Sequence, residues 1–161
     1  MSIPSSKPQF VYATYIHTTP EKLWAALTDE QTIPTFWFGN KVCSDWSTGS
    51  KVQSFDQDDN TLDWDGEVIE SQPPHKLVYS FRVEGRDEPA SRVTYLIEAA
   101  QQPPMGPTGD AVKFTLIHED FPADSQIIHG VSMGWPGIIS GLKTLLESGQ
   151  PLGLHWTPPS E

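Results

Sequence analysis

The stretch Arg92-Val-Thr-Tyr-Leu-Ile-Glu-Ala-Ala100 decides the fold. Its apolar residues Val93, Tyr95, Ile97 and Ala99 share one phase of a two-residue repeat, whereas Arg92, Thr94 and Glu98 dominate the other. That alternation predicts a strand with one face turned inward. The neighbouring runs repeat it. Lys76 to Val83 turns Leu77, Tyr79, Phe81 and Val83 inward, and Ala111 to His118 does the same with Val112, Phe114, Leu116 and His118. Two tyrosines and one histidine therefore sit on an otherwise apolar face. Phe10 to Ile16, Lys41 to Asp45, Lys51 to Asp56 and Leu62 to Ser71 are four more strand-like runs. Turn formers separate them, as in Ser47-Thr-Gly-Ser50, Asp58-Asp-Asn60 and Gln72-Pro-Pro-His75.

Two short helical segments follow the first strand. Thr19 is an N-cap with Pro20 at the first helical position and Glu21 in the first turn, and Leu23, Trp24 and Leu27 share a face. A second turn is expected at Thr35 to Phe38, ended by Gly39 and Asn40. After Pro122 the apolar period becomes helical, with Trp135, Ile138, Leu142 and Leu145 forming a stripe that Gly149 and Pro151 stop. Pro136 lacks an N–H and fits a first turn, so this helix is expected to begin within two residues of Trp135. The order predicts an α+β fold in which a curved seven-stranded antiparallel sheet wraps a long C-terminal helix. One helix does not fill so curved a sheet, and a cavity is expected between them.

A chain of 161 residues supports one domain, placed at 10–148 between a flexible N-terminus, 1–9, and a tail, 149–161. Residues 101–110, dense in Pro and Gly, read as a long loop. Ten basic against twenty-one acidic residues give a net charge of -11, the wrong sign for nucleic acid or an anionic membrane. Neither a membrane-spanning run nor an export signal is visible, so the cytoplasm is the expected location. Cys43 stands alone, and no intrachain disulfide is possible.

Several segments in order carry a family resemblance: Thr19-Pro-Glu-Lys-Leu-Trp-Ala-Ala-Leu-Thr-Asp29, Phe36-Trp-Phe-Gly39, Gly66 to Tyr79, Thr115-Leu-Ile-His118 and Gly134-Trp135. Together they resemble the heat-shock-protein-90 ATPase activator-like branch of the SRPBCC superfamily, also described as START-like or birch-pollen-allergen-like. The resemblance implies the helix-grip fold around a hydrophobic pocket, with family members that bind apolar molecules and a minority that are cyclases or hydrolases. It departs at Gly49-Ser50, where a Gly-Gly turn is usual, and at Pro136. It does not extend to the N-terminal domain of the eukaryotic co-chaperones, so a chaperone partner is a lesser expectation, as is a homodimer.

The expected function is binding of a small hydrophobic or aromatic ligand between sheet and helix. Trp37, Tyr79, Phe81, Tyr95, Phe114, Leu116, His118, Trp135, Ile138 and Leu142 are the candidate binding residues. Trp37, Trp46, Trp64 and Trp135 are all large enough to stack on a ring, but the resemblance favours only Trp37 and Trp135. His118 is the one catalytic candidate, a general base at the pocket mouth if a carboxylate orients it, which would make the protein a cyclase or hydrolase. Glu119 is on the opposite face of a regular strand, so no such carboxylate is expected. The five histidines show no i,i+4 pair, and neither a metal nor a cofactor is expected. The acidic residues between Asp56 and Glu70 lack the pattern of a calcium loop and read as a solvated hairpin.

Overall fold

The computed structural model describes residues 7–100 and 110–154. Most of the expected loop at 101–110, the first six residues and the tail from residue 155, His155 included, lie outside the described residues.

Seven strands form the elements β1 (Phe10–Ile16), β2 (Lys41–Cys43), β3 (Lys51–Phe55), β4 (Leu62–Gln72), β5 (Lys76–Val83), β6 (Ser91–Ala99) and β7 (Val112–Glu119). They make one curved antiparallel sheet in the order β1-β7-β6-β5-β4-β3-β2. Consecutive strands from β2 to β7 are neighbours in the sheet, each antiparallel to the one before it. β1 instead pairs with β7, Phe10 opposite His118 and Ile16 opposite Val112. The chain must therefore cross from one sheet edge to the other between β1 and β2. It does so through α1 (Pro20–Thr28) and a 3-10 turn at Ile33–Thr35, slightly earlier than the sequence suggests. Thr19 caps α1 as expected, its hydroxyl accepting from the Lys22 N–H at 3.2 Å.

Both bulges of the sheet lie in β4. Ser54 faces Trp64 while Phe55 faces Leu62, which leaves Asp63 as the extra residue; Val68 faces Tyr79 while Glu70 faces Val78, which leaves Ile69. Bulges bend a strand and re-aim the side chains beside them.

The inward phases read from alternation hold for β5 to β7, with the exception of Ala99, which is exposed at the end of β6. The long helix α2 (Ile128–Ser148) packs over them, burying Trp135, Ile138, Ile139, Gly141 and Leu142. It ends at Gly149, whose φ of 77° lets its N–H reach the Leu145 carbonyl. Its start corrects the expectation drawn from Pro136. Two turns of helix precede that proline, because the Ser125 hydroxyl accepts from the N–H groups of Ile127 and Ile128 and the Glu88 carboxylate accepts from the Gln126 N–H. These contacts satisfy donors that would otherwise be unpaired and set a negative charge at the positive helix end. An interior proline costs a helix about 3 kcal/mol. Burial of Trp135, Ile138 and Ile139 in the same two turns offsets that at about 1.5–3 kcal/mol each. No helix among the described residues is long and apolar enough to cross a membrane.

Candidate functional site

The middle of the sheet is filled by its own side chains. Tyr79 on β5 and Tyr95 on β6 are diagonal neighbours, opposite Val93 and Leu77 respectively, with hydroxyls 2.7 Å apart. Burial raises both phenols above the ordinary tyrosine range. Phe114, Leu116 and Leu142 close around them, each no more than 1 % exposed.

His118 is fully buried and not at a pocket mouth. Its Nδ1 accepts from the indole N–H of Trp135 at 3.0 Å, and its Nε2 lies 2.7 Å from the Ser91 hydroxyl. The indole only donates, so Nδ1 carries no proton and Nε2 carries the one proton of a neutral ring. Nε2–H therefore donates to Ser91, whose own hydroxyl donates to the Phe81 carbonyl at 3.2 Å. The chain runs in one direction from α2 through β7 and β6 to β5, and every member has its partner. Burial among Phe81, Phe121 and Trp135 pushes the His118 pKa down to about 3. Both ring nitrogens are thus engaged, the free lone pair of Nδ1 by the indole of Trp135 and Nε2–H by Ser91. The two side-chain partners, Ser91 and Trp135, were not foreseen in the sequence.

A groove of about 150 Å³ opens instead at one end of the sheet, where β4, β5, the turn after the 3-10 segment and the first half of α2 meet. Its walls are aromatic: Trp37, Phe38, Trp64, Phe81 and Trp135. Trp37 lies 5.2 Å from Trp135 at 74° and 6.0 Å from Trp64, and Trp64 lies 4.5 Å from Phe81. On α2 the groove is bounded by Gly130 and Gly134, where a Cβ would meet nothing within 4 Å, and by Val131 and Ile138. Glycine there keeps space open that any other residue would fill. Phe38 is held in the left-handed region at φ 54° beside Gly39 at 84°.

Two polar residues edge the groove. The Asn40 amide oxygen accepts from the Gln57 N–H at 2.9 Å. Asp63, the bulged residue of β4, is exposed; its backbone carbonyl accepts from the Glu84 N–H at 3.0 Å, whereas its carboxylate has no hydrogen-bond or ion-pair partner among the described residues. Desolvation, with repulsion from Asp56 and Asp59, raises its pKa above the usual carboxylate value.

Of the ten residues singled out in the sequence, Trp37, Phe81, Trp135 and Ile138 line the groove. Tyr79, Tyr95, Phe114, Leu116, His118 and Leu142 lie in the packed core. Trp64, Phe38, Asp63 and the two glycines line it without having been favoured by the sequence; the recurrence of glycine at 130, 134, 137 and 141 was the available signal. Among the described residues no three His, Cys, Asp or Glu side chains are placed to hold a metal ion. Cys43 is half-buried, and its thiol is pushed up first by burial and then by Glu30, which disfavours the thiolate.

A curved antiparallel sheet gripping a C-terminal helix, with an aromatic-walled groove at one end, defines a helix-grip α+β protein. Residues 17–147 match the family described as Activator of Hsp90 ATPase homolog 1-like protein, and the chain belongs to that family. Among solved structures it is similar to a Mesorhizobium loti protein, with 26% identity and a TM-score of 0.71 over 86% of this chain and 96% of that one. It is also similar to an Hsp90 activator from Plasmodium falciparum, with 22% identity and a TM-score of 0.68 over 86% of this chain and 95% of that one. The Aha1 dimer from Colwellia psychrerythraea is similar at 16% identity and a TM-score of 0.69, over 88% of this chain and 98% of that one. The last two likenesses are of fold alone. No curated protein matches the chain.

Proposed function

We propose that this protein binds a small aromatic or apolar molecule in the groove bounded by Trp37, Trp64, Phe81 and Trp135. The observation that carries the reading is a set of aromatic walls left unfilled opposite two helical glycines, in a domain whose core is elsewhere packed. About 150 Å³ is the size of an engineered cavity that takes benzene and is well below the roughly 300–1,000 Å³ of drug-sized sites. The ligand is therefore one ring, or the end of a longer molecule that projects from the mouth. The enzyme alternative loses its acid–base residue because His118 is saturated by Trp135 and Ser91. The Plasmodium relative suggests a chaperone partner and the Colwellia relative a dimer, but exposed apolar side chains such as Val11, Ile69 and Met133 are dispersed over β1, β4 and α2, which favours the groove.

Titration of the full-length protein with single-ring compounds, followed through indole N–H resonances, tests this. The signals of Trp37, Trp64 and Trp135 should move while that of Trp24 stays still. No response at millimolar concentration, or a response centred elsewhere, would overturn the reading.

A further inference from the structure

We infer that the groove selects a cationic ligand, a small alkylated ammonium group held against the indoles and opposite Asp63. The inference rests on the groove being a binding site and names the chemistry it prefers. Three indoles and two phenyl rings surround a space of about 150 Å³, set at angles of 35° between Trp37 and Trp64 and 74° between Trp37 and Trp135. Rings inclined to one another around one space can offer a cation π-faces from more than one side.

Asp63 supplies the second, independent observation. It stands at the groove only because the bulge in β4 inserts it, and no cation of the described chain neutralises it. The carboxylates of Asp56 and Asp59, which raise its pKa, are tied into their own turn by the N–H groups of Asp58 and Thr61 and add to the negative potential nearby. A neutral hydrocarbon makes no use of an unpaired carboxylate, and an anion is repelled by it. A cation pairs with it directly, and the overall charge of -11 raises the local concentration of cations further.

Choline and its uncharged isostere 3,3-dimethyl-1-butanol separate charge from shape. Titrated against the full-length protein, choline should bind about tenfold more tightly, as judged by the Trp37, Trp64 and Trp135 indole signals. Asp63→Asn should remove most of that advantage, lowering choline's affinity far more than the alcohol's, and added salt should weaken choline far more than the alcohol. Equal affinities, or a choline affinity indifferent to Asp63→Asn, would overturn the inference. So would silence of both compounds while single-ring compounds still move the indole signals, and the groove would then stand as a neutral site. Silence of every compound would remove both readings.

Discussion

His118 gives the fold a measurable dependence on pH. Its pKa is about 3 in the folded protein and about 6.5 when unfolded, so below pH 6.5 the unfolded chain takes up a proton that the native ring refuses. The contribution is complete above pH 6.5 and is lost as the pH falls toward 3. At pH 5 the linkage amounts to about 2 kcal/mol relative to pH 7.5. Other groups also titrate in that window, so the useful quantity is the difference between wild type and His118→Gln. Glutamine retains one acceptor for the Trp135 indole and one donor for Ser91 but has no proton to gain. Urea unfolding followed by tryptophan fluorescence at pH 7.5, 6 and 5 would give both stabilities, with equal m-values as the check on two-state behaviour. The wild-type advantage should shrink by about 2 kcal/mol across the series. An advantage constant within about 0.5 kcal/mol would mean that the ring is not held neutral, and the directed chain from Trp135 to Phe81 would be wrong.

Tyr79→Phe and Tyr95→Phe should each cost about 1–3 kcal/mol, since each leaves the other hydroxyl buried without its 2.7 Å partner. The double variant should cost less than the sum, and additivity in a denaturation cycle would refute the pairing. Gly134→Ala places a methyl in open groove space within a helix and should stabilise by about 0.5–1 kcal/mol while weakening ligand binding. A stabilised variant with unchanged affinity would separate that glycine from the site. Gly66→Ala should cost about 3 kcal/mol or more, because its Cβ would lie 1.7 Å from the Ser80 carbonyl oxygen and backbone has little room to yield. Recovery of folded protein with an unaltered midpoint would contradict that contact.

Strand positions were legible because half-burial writes itself into alternation: β1 and β5 begin and end where their side chains predict. The start of α2 was less so. Pro136 carries a local signal for a helix start, and the opposing contacts come partly from Glu88, far away in sequence. The same distance hid the surroundings of His118. Its phase on β7 announced an inward side chain, but Ser91 and Trp135 meet it only through the sheet and the helix above. Alternation identifies which residues face inward and is silent on where they fail to fill space. The groove therefore lies at the end of the sheet rather than around Tyr79 and Tyr95. What opens it there is an absence of side chain at Gly130 and Gly134, joined to Trp64 and the bulge at Asp63.

The pairing of β1 with β7 imposes a timetable on synthesis. The hairpins from β2 to β7 can close as they emerge, whereas β1 must wait for a partner about a hundred residues further on, roughly 5–20 s of translation. Throughout that interval a strand carrying Tyr12, Tyr15 and Ile16 is unpaired, and once β7 appears its free edge will accept any strand of the right register. Two chains on one messenger are then competitors for the same closure. Strand exchange between copies, each lending its first seven-residue strand to the other's last, is the misassembly this topology invites.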